Sequence, residues 1–398
     1  MRPVVVLFPV FAMTVGNTTV QSTVGLFGRS TGLSEFQVGI FFASSAMLFF
    51  LTSSAWGSLA DRWGRRPVIL TGLAGGGASL LLVAALYAFG PGAMDASIIF
   101  AALLFARIVY GLLSGGIQPA AVAAMADITT DYRRSTAAAL VGAAFGLASI
   151  VGPLFAAVLV GFGFAVPVAS ACTLILIAGL VARAIPAKAT PMGSRVAVFA
   201  LPLVGVMPYL ALAFAVVLGL SALQPTMAFF VQDRLAIGTT LAVQYASFVS
   251  VAFATCSFVI QALVVPMLTM SPHRLMMVGV AACCGGIGFC LAAADLADLV
   301  AGFGLIGAGF GFVQPGLLAG AMHVTGADRQ GQVAGHMQSA MSAAWIVGPL
   351  AGTAAYSLSI EGPLLLAAAT TTAGTLSYSV LMAIVSRSGG SNRARPAG

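Results

Sequence analysis

The chain has 398 residues, of which 60% are hydrophobic and 7% are charged, and its mean hydropathy is +1.05. A soluble domain carries about 25% charged residues, so this composition excludes a soluble globular protein and predicts an all-α membrane protein. The net charge of +7 does not indicate a nucleic-acid partner, because the arginines are dispersed through short loops rather than gathered on one face.

Twelve apolar runs follow one another along the chain, each about as long as the 20 or so residues that a membrane-spanning helix needs. They lie near residues 3–27, 38–60, 68–89, 97–126, 136–162, 165–185, 203–230, 241–268, 274–294, 299–324, 331–358 and 362–385. We predict four segments from these runs and from the polar stretches beside them. They are an amino-terminal six-helix bundle over 1–185, a cytoplasmic linker over 186–202, a carboxy-terminal six-helix bundle over 203–386 and a disordered tail over 387–398.

The basic residues fix the predicted orientation. Of the seventeen Lys and Arg residues, Arg29 and Arg234 lie on one side of the membrane and Arg107 lies inside a span, which leaves fourteen on the other side. Cytoplasmic loops carry the excess of Lys and Arg. The chain is therefore predicted to be an integral multi-pass protein of the bacterial inner membrane, with both termini in the cytoplasm.

The two halves of the chain repeat each other. Gln118-Pro119 recurs as Gln314-Pro315, 196 residues later, and the sequence Ile-Val-Gly-Pro-Leu at 150–154 recurs at 346–350 with the same offset. An offset near half the chain length predicts two six-helix bundles related by a pseudo-two-fold axis along the membrane normal. Such halves meet around a midplane cavity and rock to open it to each side in turn.

Residues 57–66, between the second and third spans, read GSLADRWGRR. A loop this short needs glycines where the helix ends pass closely, which Gly57 and Gly64 supply. The pattern Gly-x-Leu-Ala-Asp-Arg-x-Gly-Arg-Arg resembles the loop 2–3 signature of the major facilitator superfamily. The resemblance implies the twelve-span fold of that superfamily and transport by alternating access.

The same resemblance implies a conformational latch. Asp61 would cap the start of span 11, where a carboxylate meets a helix dipole, and Arg65 would pair with Asp127 at the inner end of span 4. These contacts would stabilise the outward-facing state and break when the halves rock. The predicted gating residues are Gly57, Asp61, Arg62, Gly64, Arg65, Arg66 and Asp127.

Arg107 lies about ten residues into span 4. An arginine at that depth costs at least ~2.5 kcal/mol and persists only with a partner or a water-filled cavity. The setting Leu103-x-x-x-Arg107-x-x-Tyr110-Gly111 resembles the span-4 motif of proton-coupled exporters, with tyrosine at a position where that family usually has glutamine. The resemblance implies that Arg107 shapes the central site and takes part in proton coupling. The alternative is a packing arginine bonded to helix carbonyls.

Gly152-Pro153 in span 5 resembles the antiporter motif of drug:proton exporters, although alanines replace several of its glycines. Proline bends a helix and small residues admit a neighbouring helix. The resemblance implies export rather than import. Gly348-Pro349 in span 11 is either the structural twin of this feature or a packing kink.

No acidic residue lies deep in a span, so the predicted cavity would bind a bare cation poorly. Its substrate is expected to be neutral, zwitterionic or anionic. Asn17 begins an Asn-Thr-Thr glycosylation sequon inside the first span and is given no role there. The predicted substrate and coupling residues are Arg107, Tyr110, Gln21, Gln118, Gln224, Gln261 and Gln314.

These features predict a monomeric secondary active efflux transporter of the twelve-span drug:proton antiporter type, which resembles the tetracycline exporters. It would export a small organic compound, with protons as the coupling ion and no cofactor or metal. The proton carrier is left open among His323, His336, Asp61 and Asp127. An exporter of a secreted metabolite, such as a carboxylate siderophore, and an uptake transporter for a nutrient or organic anion stay open as alternatives.

A membrane-embedded enzyme is less well supported, because the three histidines and ten carboxylates form no catalytic or metal-binding grouping. A non-transporting sensor would carry a long soluble domain, and the loops are too short for one. No Gly-x-x-x-x-Gly-Lys-Ser/Thr phosphate-binding loop is present, so ATP is not the predicted driver.

Overall fold

The computed structural model describes residues 3–127, 134–186, 204–325 and 329–393, which are almost entirely helical and contain no strand. The helices of the amino-terminal half are α1 (Val4–Ser30), α2 (Glu35–Trp63), α3 (Arg65–Phe89), α4 (Ala96–Ser114), α5 (Ile117–Asp127), α6 (Arg134–Leu159) and α7 (Ala165–Ala182). Those of the carboxy-terminal half are α8 (Met207–Leu235), α9 (Thr239–Val259), α10 (Val265–Met267), α11 (Pro272–Ala292), α12 (Leu296–His323), α13 (Gln330–Leu358) and α14 (Gly362–Arg393).

Eleven stretches of the described residues are long and apolar enough to cross a membrane. One of them joins α4 to α5, over Ala96–Asp127, and another joins α9 to α10, over Thr239–Met267. The remaining span is α13, which has 29 residues and is made more polar by Gln332, His336 and Gln338. The prediction of twelve helices in two bundles is confirmed.

Span 4 is broken at Gly115 and Gly116, so α4 and α5 are separate helices. A Cβ on Gly116 would lie 2.6 Å from Val68 and 3.1 Å from Trp56, so glycine lets α2 and α3 approach the break. The Trp56 indole Nε1 donates a hydrogen bond of 2.7 Å to the carbonyl oxygen of Leu112, next to the break. The indole supplies a hydrogen-bond donor at the break, and the glycine lets neighbouring helices cover it. Both features help the interruption to lie within the membrane.

Span 8 contains a π-helical turn, Ile260–Val264, between α9 and α10. Pro266 follows it and cannot donate to the carbonyl of Ala262, four residues earlier. A π-turn is a common way for a helix to accommodate such a missing bond. Gln261, one of the predicted site residues, lies in this turn.

The helix ends follow local capping rules. Ser34 and Gln37 form a capping box at the start of α2. The Ser271 hydroxyl accepts a hydrogen bond from the backbone N–H of Arg274 at the start of α11. Asp295 accepts one from the N–H of Asp298 at the start of α12.

Successive spans run in opposite directions, which gives the molecule two ends, named here by an arginine. The Arg29 end holds the last turn of α1 and the short loops at 31–34, 90–95, 236–238, 293–295 and 359–361. The Arg65 end holds the start of α3 and the end of α5. Six of the ten acidic residues lie at the Arg29 end, with only two of the seventeen basic residues. They are Glu35, Asp95, Asp233, Asp295, Asp298 and Glu361.

The structure bears on only one of two predicted segment limits, those of the linker and of the carboxy-terminal tail. The linker 186–202 lies, apart from residue 186, outside the described residues, and the domain limits stay a prediction. The disordered tail was predicted from residue 387, but α14 continues to Arg393. Extending an existing helix costs little, because each added residue brings its own hydrogen bond. Residues 394–398 lie outside the described part.

Candidate functional site

Arg107 lies inside α4 with only 5% of its surface exposed. Its Nη1 donates a hydrogen bond of 2.7 Å to the side-chain oxygen of Asn17 on α1. The guanidinium carbon lies 4.9 Å from the centroid of the Phe41 ring and 4.8 Å from that of Tyr110. Two aromatic faces and one amide therefore hold this cation within the span, since aromatic rings attract a cation electrostatically.

No negative charge in the described part of the chain neutralises Arg107. Among the described residues, no carboxylate pairs with it, and its Nε is buried without a hydrogen-bond partner. The sequence also allowed a packing arginine bonded to helix carbonyls. The observed partner of Arg107 is instead the side-chain oxygen of Asn17. Buried polar groups are rarely left unsatisfied, and those that are often mark a functional site.

Gln21 on α1 and Gln224 on α8 join the two halves near the middle of the molecule. The Gln224 amide nitrogen donates a hydrogen bond of 2.9 Å to the Gln21 side-chain oxygen. These residues occupy equivalent places in the repeat, since Thr18 and Ser221 share their offset of 203 residues and contact the equivalent Ala148 and Ala344 carbonyls. Equivalent residues that touch each other lie at the pseudo-two-fold axis.

The other predicted glutamines lie elsewhere. The Gln261 amide nitrogen donates to the side-chain oxygen of Gln314 at 3.2 Å and to the Ser257 hydroxyl at 3.1 Å, all within the carboxy-terminal half. Gln118 is exposed at the start of α5. The structure thus brings together Arg107 and Tyr110, then Gln21 and Gln224, and it forms a separate pair from Gln261 and Gln314.

The two halves are tied at the Arg29 end by the Arg29 latch, which consists of Arg29, Glu35, Phe229, Asp233 and Tyr356. Arg29 forms ion pairs of 2.9 Å with Glu35 on α2 and 2.7 Å with Asp233 on α8. Its guanidinium lies 4.5 Å from the Phe229 ring centroid. The Tyr356 hydroxyl donates to Asp233 at 2.5 Å. The latch joins α1 and α2 to α8 and α13, so the structure is closed at this end.

Other contacts between the halves strengthen the closure at the Arg29 end. Gly39 on α2 lies so close to α13 that a Cβ would be 2.9 Å from the Pro349 carbonyl oxygen. Gln244 on α9 donates a hydrogen bond of 3.1 Å to the Ala157 carbonyl on α6. Each of these residues lies in the part of its helix that is nearer the Arg29 end.

Removing the Arg29 side chain should open the Arg29 end. We expect Arg29→Met to raise the labelling rate of a cysteine placed at Gly25 about 5- to 30-fold, because one network of charged hydrogen bonds is lost. Gly25 lies beneath the latch, and its added Cβ would meet the Phe229 ring at an ordinary 3.4 Å. A membrane-impermeant thiol reagent measures the rate in a variant whose five native cysteines are alanine.

Arg234→Met is the matched control for the latch. Arg234 lies at the same end, but its partners are Glu361 and the carbonyl oxygens of Leu291 and Ala293, all in the carboxy-terminal half. This variant should leave the labelling rate unchanged. If the Gly25 cysteine were labelled at the same rate with Arg29→Met as with the native Arg29, the latch would not hold the halves together.

At the Arg65 end, Arg65 is buried with 2% of its side chain exposed and bridges two carboxylates. Its Nη1 lies 2.7 Å from Asp61 Oδ1, and its Nε lies 3.4 Å from Asp127 Oδ2. Nη1 also donates to the Ala60 carbonyl oxygen at 2.7 Å. The structure thus forms the Arg65–Asp127 pair that the resemblance implied. Arg62 is exposed and Arg66 is half-buried.

The loop expected at 57–66 was wrong in its extent, since α2 runs to Trp63 and α3 starts at Arg65. Only Gly64 separates the two helices, with a φ of 97° that favours glycine. Gly57 is not at a close approach, because nothing lies within 4 Å of a Cβ built there. Polar residues can continue these helices because their ends project beyond the apolar run.

The expectation that these contacts break during rocking needs correction. Asp61, Arg65 and Asp127 all belong to the amino-terminal half, and their ion pairs are intact in a structure closed at the Arg29 end. Moving one half against the other need not disturb them. The contact predicted between Asp61 and the start of span 11 adjoins residues 326–328, which lie outside the described part.

Asp61→Asn should slow transport without weakening substrate binding. The change removes one of the two charges that hold Arg65. Asp61 is 20 residues along α2 from Phe41, the α2 residue that contacts Arg107, so it is remote from the central site. We expect the maximal transport rate to fall severalfold with an unchanged half-saturating concentration. Initial-rate transport in proteoliposomes measures both values, and a loss of affinity alone would contradict a gating role.

Gly152 and Gly348 occupy equivalent positions in the two halves. A Cβ on Gly152 would overlap the Thr18 hydroxyl on α1, and one on Gly348 would overlap the Ser221 hydroxyl on α8. Pro153 and Pro349 follow them inside α6 and α13. Both glycines therefore serve close helix packing in twin positions.

Among the described residues, no group of His, Cys, Asp and Glu is arranged to hold a metal ion. Two contacts at the site were not foreseen. Asn17 was set aside as a glycosylation sequon, although its place one turn before Gln21 was a signal, and Arg29 was counted only as an external charge.

The family model of the Major Facilitator Superfamily matches residues 6–349 of this chain. The chain is 31% identical over 177 residues to multidrug resistance protein 2 of Bacillus subtilis (strain 168), covering 44% of this chain and 42% of that protein. It is 33% identical over 136 residues to the class C tetracycline resistance protein of Escherichia coli, covering 34% of this chain and 31% of that protein. The chain thus aligns with less than half the length of each relative.

The crystal structure of the nucleoside transporter NupG has a similar fold. It aligns with a TM-score of 0.73 at 11% sequence identity, covering 95% of this chain and 99% of that chain. This likeness concerns the fold alone.

Proposed function

Because this chain belongs to the major facilitator superfamily, whose members are membrane transporters and not enzymes, we propose that it exports a small organic compound by alternating access. The energy source is the proton gradient, by antiport. The predicted kinship with drug-efflux members of the family is confirmed at the level of family, and the substrate and the coupling ion belong to this proposal.

One observation carries the proposal: a buried cation, Arg107, and a glutamine pair at the pseudo-two-fold axis lie beneath a closed Arg29 latch. Secondary transporters of repeated architecture bind substrate near the membrane midplane, where the halves meet. With the latch closed, alternating access leaves the Arg65 end as the route to this site. The basic residues at the Arg65 end favour a cytoplasmic position for it.

The direction of transport rests on three supports. The resistance proteins of Bacillus subtilis and Escherichia coli, to which segments of this chain are similar, are named for resistance, and a membrane transporter confers resistance by removing a compound from the cell. Gly152-Pro153 resembles a motif of exporters. A state that opens to the cytoplasm at the Arg65 end is the one in which an exporter loads its substrate.

The experiment compares the small molecules in the medium of cells with and without the protein, under rich and iron-limited growth, by mass spectrometry. A metabolite that disappears on deletion, and returns with the intact protein but not with Arg107→Ala, supports export and names the substrate. An unchanged medium argues for efflux of foreign compounds, which a drug-susceptibility panel tests directly. A compound that accumulates in the medium only after deletion would instead favour uptake.

The positive charge of Arg107, which pairs with no carboxylate among the described residues, favours a second candidate within the same class. This is export of a secreted organic acid, such as a carboxylate siderophore. The iron-limited arm distinguishes it, because siderophore release rises when iron is scarce. A monomer in the bacterial inner membrane suffices for this mechanism, since both gates and the central site come from one chain.

A further inference from the structure

We propose that the Asn17–Gln21 face of α1 carries a binding site for an organic anion that has a hydrogen-bond donor about 6 Å from its charge. This inference rests on the proposed function and names the substrate class of the central site. It uses two unsatisfied buried atoms, the Nε of Arg107 and the Oε1 of Gln224.

Arg107 supplies the anion-binding part. Its present partner, the Asn17 amide, is neutral and engages only Nη1, at 2.7 Å. A carboxylate accepts two parallel hydrogen bonds from a guanidinium and is a stronger partner than an amide, because both groups are charged. The buried Nε is one of the donors that such a fork uses. The rings of Phe41 and Tyr110 contact the guanidinium and restrict its side-chain conformation.

Gln224 supplies the acceptor. Its amide nitrogen is used by Gln21, at 2.9 Å, which leaves its buried oxygen without a partner. Two amides across a two-fold axis are able to exchange a pair of reciprocal bonds, but here only one bond forms. The unsatisfied oxygen therefore suits a ligand hydroxyl or N–H group, which would remove the desolvation penalty of that oxygen.

Helix geometry sets the spacing between the two parts. Asn17 bonds Arg107, Gln21 bonds Gln224, and both lie on α1. Residues four apart lie on one face of a helix, separated by about 6 Å along the axis at 1.5 Å per residue. We take this axial separation of Asn17 and Gln21 as the spacing of their partners, Arg107 and Gln224, so the ligand we infer has one charge and one donor about 6 Å apart. Cations meet no carboxylate here among the described residues, and a purely apolar compound leaves both atoms unsatisfied.

The test measures binding to the purified full chain in detergent, by the shift of its unfolding temperature. The probes are 4-hydroxybenzoate, which has this spacing, benzoate, which lacks the donor, and 4-hydroxybenzamide, which lacks the charge. We expect 4-hydroxybenzoate to bind at least about 10-fold more tightly than either analogue, the usual effect of one charged or buried hydrogen bond. The same comparison with 4-hydroxybutanoate, butanoate and 4-hydroxybutanamide covers a site that excludes the ring.

Variants assign the two parts. Arg107→Gln should remove the preference for acid over amide. Gln224→Leu should remove the preference for 4-hydroxybenzoate over benzoate. Gln261→Leu breaks the other glutamine pair, with Gln314, and should leave both preferences unchanged.

Equal binding of the amide and the acid, or no binding of either hydroxy acid, would overturn the inference. So would loss of both preferences in Gln261→Leu. The comparison of the acid, the amide and benzoate on the wild-type protein tests the inference even if a variant is not recovered as folded protein. Because binding is measured without a membrane or gradient, failure here leaves the export proposal standing. Conversely, selective anion binding by a chain that exports nothing would refute export alone.

Discussion

Arg107→Ala should reduce export to the level of cells that lack the protein. The change removes a buried cation that meets no carboxylate among the described residues. Losing a charged hydrogen bond to substrate costs about 2–3 kcal/mol, a decrease of about 30- to 150-fold in affinity. Export assays in whole cells measure the loss, and quantitative immunoblotting of membranes should show an unchanged amount of protein, since the cost of burying the charge offsets the contacts that Arg107 makes and its removal strands no carboxylate among the described residues.

Two further variants separate charge from geometry at this position. Arg107→Lys keeps the charge but loses the fork, and we expect it to retain only part of the activity. Arg183→Ala removes an exposed arginine at the Arg65 end and should behave as the wild type. Normal export by Arg107→Ala would remove Arg107 from the site.

Gly152→Ala should strongly destabilise the protein. The new Cβ would overlap the Thr18 hydroxyl and lie 2.7 Å from the Val15 carbonyl oxygen, which belongs to the α1 backbone and cannot swing aside. Overpacking of this kind costs about 1–3 kcal/mol. Thermal unfolding in detergent should show a lower midpoint, and less protein should reach the membrane. Gly348→Ala should act alike, since its Cβ would lie 2.9 Å from the Leu218 carbonyl oxygen.

Gly142→Ala is the control on the same helix. Nothing lies within 4 Å of its added Cβ, and alanine is favoured over glycine in a helix by about 0.5–1 kcal/mol. This variant should therefore be as stable as the wild type or slightly more stable. If Gly152→Ala matched it, close packing of α6 on α1 would not be needed.

Much of the fold follows from local physics. Apolar runs of span length predicted the helices, because a lipid-exposed backbone must satisfy its hydrogen bonds internally. The repeats at 150–154 and 346–350 predicted the two halves. The helix limits around Gly64 were missed, because hydropathy falls at the membrane boundary while the helix continues into the polar region.

The site was only partly predictable. The cost of a buried charge singled out Arg107, and a motif linked Arg65 to Asp127. The Asn17–Arg107 contact and the Arg29–Asp233 pair join residues 90 and 204 positions apart, and no local pattern encodes such a pairing. The glutamines were predicted as substrate or coupling residues, and hydropathy does not tell which neighbouring side chain each amide bonds in the folded protein.

The acidic surplus at the Arg29 end bears on what happens to a molecule after release. Six carboxylates lie at this end against two arginines, and both arginines are occupied in ion pairs. Their field repels anions over about 8 Å at physiological ionic strength. In the proposed orientation, an organic acid released at the Arg29 end enters a region where the negative field lowers the local concentration of anions. Rebinding of the acid is therefore slow. For an organic acid exported as proposed, the acidic residues at the Arg29 end would therefore slow rebinding at low salt, and added salt would reduce this effect.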